Sequence, residues 1–221
     1  MKLQELEDLV SKGEGQLLEF KLKASFPEKI VREMVAFANT EGGQLFVGVD
    51  DDGRISGLKF AEEEKFVIEN AIQAHIKPRI KYQSEVIPIN RKRSVLCYRI
   101  FEHRKKPIYY LDDPAKRGKA YVRLLDKSVQ ASREMVEILK KSRTKKSSPI
   151  KLGNQEQILF QHIEKHGKIT LSTFIEISGL PKNKASQILI RLVISNILKI
   201  EIGENADYFS MKIKYSNDRN N

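Results

Sequence analysis

Between Glu14 and Gly57 the chain reads EGQLLEFK, then a helical run ending AFANTEGGQLFVGVDDDGRISG, and this order leaves little freedom of fold. LLEFKLK alternates apolar and charged residues, the period-two pattern of a strand with one buried face. Leu18, Phe20 and Leu22 fall on one side, and Glu19, Lys21 and Lys23 on the other. Pro27 and Glu28 open a helix carried by Ile30, Val31, Met34, Val35, Phe37 and Ala38. Asn39 and Thr40 close it ahead of Gly42 and Gly43. QLFVGVD then reads as a central strand, Asp52-Gly53 as a hairpin turn and RISG as its return.

The same reading extends outward. Leu3, Leu6, Leu9 and Val10 have helical spacing, and a further helix runs from Ala61 to about His75, stopping before Pro78. Strands follow in IKYQSEVIPI, SVLCYRIF, PIYYL and KAYVRLL, and a last helix starts near Ser132, which serves as its N-cap. Beyond residue 151 the rhythm changes. NQEQILFQHIEKHG, ITLSTFIEISGL and PKNKASQILIRLVISNILKI give three helices, and KIEIGENADYFSMKI gives a hairpin, the order of a winged helix-turn-helix. The expected fold class is α+β: a mixed β-sheet with flanking helices at 1–139, a basic linker at 140–151, a winged helix at 152–215 and a disordered tail at 216–221.

Composition narrows the function classes. The net charge is +11, and KKSRTKKSSPIK from Lys140 to Lys151 carries six basic residues and no acid. Such a linker either tracks phosphates or acts as a solvated spacer. A lone cysteine, Cys97, sits in an apolar strand-like run and is expected to be buried and inert, with no disulfide framework. No apolar run reaches the roughly 20 residues of a membrane span, and MKLQELEDLV has no apolar signal-peptide core. The expectation is a soluble, cytoplasmic protein with no membrane partner.

The residues Glu14, Glu19-Phe20-Lys21, Ala36 to Thr40, Gly42, Gly43, Gly48, Asp50, Gly53 and Gly57 spell E-x-x-x-x-E-F-K, A-F-A-N-T-x-G-G and V-G-V-D-D-x-G-x-I-x-G. This pattern resembles the Schlafen-like AlbA-type domain, with KPIYY and KAYVR similar to its closing strands, over most of residues 10 to 140. After Tyr121-Val122-Arg123 the chain departs from the pattern: Leu124, Leu125, Asp126 and Lys127 stand where an arginine- or glycine-containing turn is common. The resemblance implies DNA binding and transcription regulation, with the winged helix a common companion. It also implies an alternative, because some animal members are endoribonucleases with three acidic residues. Those map onto Glu14, Glu19 and Asp50, with Lys21 beside them to hold a phosphate oxygen and Mg²⁺ or Mn²⁺ bridging the carboxylates.

The same residues have plainer readings. Glu19 and Lys21 suit an ion pair on an exposed sheet, and Asp50 to Gly53 a hairpin turn. No GxxxxGK[ST] loop or GxSxG elbow is present, and His75, His103, His162 and His166 form no compact ligand set with cysteine. Candidate nucleic-acid contacts are Arg91, Lys92 and Arg93; Arg104, Lys105 and Lys106; and Lys116, Arg117 and Lys119, with Tyr109, Tyr110 and Tyr121 as stacking rings. On the third helix of the winged unit they are Lys182, Asn183, Lys184, Ser186 and Gln187. The leading expectation is a prokaryotic DNA-binding transcriptional regulator, with DNA favoured over RNA, no cofactor and an open choice of oligomeric state. The alternatives are the metal-dependent endoribonuclease and a protein-interaction or dimerisation module.

Overall fold

A computed structural model describes residues 1–113, 117–141 and 152–212. The chain forms two compact units, Met1–Ala131 and a second beginning at Ser132.

The first unit is built on a four-stranded mixed sheet in the order β1-β2-β5-β4. β1 (Leu18–Lys21) runs parallel to β2 (Gly43–Val47), joined by α2 (Pro27–Asn39). β5 (Arg93–Ile100) pairs antiparallel with both β2 and β4 (Tyr82–Asn90). Alternation along the strands sorts side chains to two faces. Leu45, Val47, Leu96, Tyr98 and Ile100 meet α2 and α3 (Ala61–His75) on one side. Phe20, Phe46, Val95 and Cys97 meet Leu6 and Val10 of α1 (Leu3–Val10) on the other. Short pairs complete the unit: β3 (Ile76–Lys77) with β6 (Tyr109–Tyr110), and the hairpin of β7 (Tyr121–Leu124) and β8 (Lys127–Gln130). Leu125 turns that hairpin with φ +56°, so the late loop that departs from the family pattern is a tight turn.

The AFANT and glycine motifs have a packing explanation. Asn39, 1% exposed, donates from Nδ2 to the carbonyls of Ile108 and Tyr121, each at 2.9 Å, and its Oδ1 accepts from the Ile108 amide at 2.7 Å. One side chain thus holds two later segments against the end of α2. A Cβ on Gly43 would lie 2.3 Å from the buried Phe37 ring, so only glycine lets β2 and α2 approach this closely.

The second unit begins with α4 (Arg133–Lys141), where the Ser132 hydroxyl accepts from the Met135 amide as the expected N-cap. After it come α5 (Asn154–His166), β9 (Lys168–Thr170), α6 (Leu171–Ser178), α7 (Lys182–Ile194), β10 (Leu198–Glu201) and β11 (Tyr208–Met211). The strands form an antiparallel sheet β10-β11-β9 beside a core of Leu159, Ile163, Phe174, Leu189 and Phe209, an arrangement consistent with a winged helix.

Sequence periodicity places α4 at the end of the first domain, with the boundary after residue 139. The compact units instead divide between Ala131 and Ser132. Ser186 of α7 donates to Glu134 at 2.6 Å, and Arg133 donates to Asn183 at 3.1 Å. Arg133 and Glu134 therefore tie α4 into the helix–strand unit. The expected linker beyond Lys141, Lys116 and the tail lie outside the described residues.

Candidate functional site

β1 is an edge strand of the sheet, and its polar groups are gathered by side chains from distant elements. Glu14 folds back from the preceding turn so that its Oε1 accepts from the Phe20 amide at 2.7 Å. Glu19 lies on the same face as Leu45, its register partner, and is 4% exposed. Arg123 of β7 reaches it with a fully buried side chain. Its Nη1 donates to Glu19 Oε2 at 2.8 Å, to Glu33 Oε2 of α2 at 2.7 Å and to Ser128 Oγ at 3.2 Å. Its Nη2 donates to the Gly15 carbonyl at 2.7 Å, and the guanidinium lies 4.7 Å from the Phe37 ring centroid. Lys21 donates to Glu19 Oε1 and, at 2.8 Å, to the Phe20 carbonyl. The Ser128 hydroxyl donates to Glu33.

The electrostatics follow from this crowding. Burial, reinforced by Glu19, raises the Glu33 carboxyl above its ordinary value. Burial also raises Glu14, against the lowering effect of the Phe20 amide. For Lys21 burial works downward, but the hydrogen bond and charge of Glu19 outweigh it and hold the ammonium above its ordinary value. Three carboxylates and two cations share the cluster.

Two sequence expectations change here. The charged side of β1 is not a solvated face, because the second turn of α2 and the β7–β8 hairpin cover Glu19. Of the three acids expected to hold Mg²⁺ or Mn²⁺, Glu14 and Glu19 share this cluster, whereas Asp50 is engaged within the acidic hairpin. Both Glu19 oxygens accept from protein cations, and Asp50 accepts from Ser56 Oγ at 2.8 Å and Arg54 Nε at 3.3 Å. Among the described residues no group of three or more His, Cys, Asp or Glu is placed to hold a metal ion. The donor set therefore does not fit a divalent-ion centre: Arg123 and Lys21 occupy the positions next to Glu19 that a cation would take. Lys21 is likewise engaged, rather than free to hold a phosphate. Sequence reasoning missed Glu33, Arg123 and Ser128. The available signal was Arg123 itself, an arginine at the centre of the otherwise apolar strand YVRL.

The basic clusters divide into structural and exposed members. Arg93 donates to the carbonyls of Ser56 at 3.1 Å and Gly57 at 2.8 Å, fastening the acidic hairpin to β5. Lys106 donates to the Thr40 carbonyl and to Glu102, and Lys119 pairs with Asp112 at 2.8 Å. Arg91, Lys92, Arg104, Lys105 and Arg117 are exposed. Tyr110 is buried and meets Tyr121 edge-on within the core, so neither is an open stacking surface; Tyr109 is half-buried. Cys97 is buried as expected, its thiol pushed up to about 12 by burial.

In the second unit α7 presents Lys182, Lys184 and Gln187 as exposed side chains. Ser186 does not join them. It is buried, 5% exposed, and bonded to Glu134 of α4, whereas Asn183 is exposed like its neighbours, with its Oδ1 accepting from Arg133. A helix has room for two packed faces and one open stripe, and α4 takes the second packed face.

The chain resembles two solved structures. One is the N-terminal domain of a RecG-related protein from Nitrosomonas europaea: 19% identity, a TM-score of 0.43, 70% of this chain and 96% of that one. The other is the DIP2311 protein from Corynebacterium diphtheriae: 14% identity, a TM-score of 0.40, 89% of this chain and 34% of that one. Residues 14–132, which run from the first cluster carboxylate past the β7–β8 hairpin, match the Schlafen, AlbA_2 family, and the chain belongs to it.

Proposed function

We propose that this protein binds nucleic acid and acts as a DNA-binding transcriptional regulator, with the second unit serving as a winged helix. The observation that carries the reading is the open stripe of α7, where Lys182, Lys184 and Gln187 stand exposed in a helix–strand unit. Lysines at the start of such a helix suit phosphate oxygens, and glutamine suits a base edge. The family and the net charge of +11 favour the same partner. In the first unit Arg91, Lys92, Arg104, Lys105 and Arg117 are the cations placed to add phosphate contacts, which position a protein without specifying sequence.

The test is duplex DNA binding across a salt series. Affinity is expected to fall as salt rises, and Lys182→Ala/Lys184→Ala is expected to flatten the slope by about 2. Salt-independent binding, or a slope unmoved by that variant, would overturn the role given to α7. The endoribonuclease reading is tested in parallel with tRNA in Mg²⁺, Mn²⁺ or EDTA. Metal-dependent cleavage lost in Glu14→Gln/Glu19→Gln would replace the regulator reading.

A further inference from the structure

Phe60, one of several large apolar side chains left exposed, precedes the first turn of α3 at 56% exposure. It borders a cleft of about 360 Å³ between residues 58–63 and the turn joining β4 to β5. The Lys59 ammonium lies 5.1 Å from the Phe60 ring centroid. Arg91 and Lys92 line the opposite side from the turn, and Glu62 and Glu63 complete the rim. The floor is fixed. Leu58 and Ser94 exchange backbone hydrogen bonds at 2.7 and 3.0 Å, and Arg93 holds the Ser56 and Gly57 carbonyls.

We propose that this cleft takes one unpaired nucleotide of a single-stranded nucleic acid; this rests on the nucleic-acid reading above and names a second substrate class for it. An exposed aromatic face stacks on any base, and cations beside it neutralise the adjoining phosphate. The cleft volume lies within the range of small-ligand sites. Glu62 and Glu63 are acceptors only, so they match the exocyclic amino groups of adenine, cytosine or guanine, which thymine lacks. A purely apolar protein partner would leave Arg91, Lys92 and Lys59 without complementary charge, so the cleft favours a polyanion.

The experiment measures anisotropy of labelled oligo-dC, oligo-dA, oligo-dT and a duplex with the full chain, using wild type, Phe60→Ala, Phe60→Trp, Arg91→Ala/Lys92→Ala and Lys182→Ala/Lys184→Ala. Wild type is expected to bind dC and dA more tightly than dT. Phe60→Ala is expected to weaken single-strand binding about 5- to 150-fold, with duplex binding and thermal stability unchanged. Phe60→Trp keeps the stack and is expected to bind like wild type. Arg91→Ala/Lys92→Ala is expected to weaken single-strand binding and reduce its salt dependence. Lys182→Ala/Lys184→Ala is expected to weaken the duplex alone. Duplex binding without single-strand binding, or single-strand binding indifferent to Phe60→Ala, would overturn the cleft and leave the regulator reading standing. Absence of binding to either form would overturn both.

Discussion

Replacing Arg123 with methionine removes a buried side chain that joins β1, α2 and the β7–β8 hairpin. Methionine keeps the apolar stem but no donor, so Glu19, 4% exposed, is left with Lys21 as its counter-charge among the described residues, and Gly15 loses a 2.7 Å bond. Breaking a buried ion pair from one side costs about 3–5 kcal/mol, because the remaining charge stays desolvated. That is a large part of a typical domain stability of about 5–15 kcal/mol. It corresponds to a fall in Tm of roughly 10–20 °C for a unit of this size. Urea unfolding followed by circular dichroism measures the loss, and amide exchange at Leu18–Lys21 reports on the first unit separately. A second variant separates charge from packing. Arg123→Met/Glu19→Gln removes the orphaned carboxylate as well and is expected to recover part of the loss, a coupling that a double-mutant cycle isolates. A cost below about 1 kcal/mol for Arg123→Met, or strict additivity with Glu19→Gln, would refute the view that Arg123 stands where a cation is required.

Three further outcomes are expected. Asn39→Ala orphans the Ile108 amide and two buried carbonyls and should cost about 2–4 kcal/mol, read by thermal melting; a near-neutral result would mean those segments are held otherwise. Gly43→Ala drives a methyl into Phe37, beneath the Arg123 guanidinium, and should cost about 1–3 kcal/mol, with slower unfolding as the contrary result. Because the folded Glu33 carboxyl holds its proton above the ordinary 4.5, its contribution to stability is complete below that value. It is lost as pH rises through the raised folded value. Stability measured across that window should fall more steeply in wild type than in Glu33→Gln, and parallel profiles would count against the burial of that charge.

Much of the secondary structure was legible because it is written in local periodicity. Pro27 at the start of α2, the stop at Asn39, the 61–75 helix and the start of α7 all stand where apolar spacing and chain-breaking residues put them. The helical reading ran past the end of α7 at Ile194, however, and into Leu198–Glu201, which is β10. β3, β8 and β9 were not legible: each is short and adjoins a helix or a turn. β1 and β7 are short too, but stand out within the longer runs LLEFKLK and KAYVRLL. Among the site residues, Glu14, Glu19 and Lys21 were marked by their motif, but their roles were not. Alternation shows that Glu19 opposes Phe20; it cannot show whether that opposite face meets water or a helix.

The sequence by itself determined an α+β chain with a basic excess, the helices and long strands, and the motif of its family. Tertiary structure alone decided that Glu19 is buried against Arg123, a partner 104 residues away, and that α4 closes over Ser186. The physical reason is one of range. Backbone preference and apolar period act over a few neighbouring residues, whereas the partner of a buried charge is whichever group packing brings within hydrogen-bond reach.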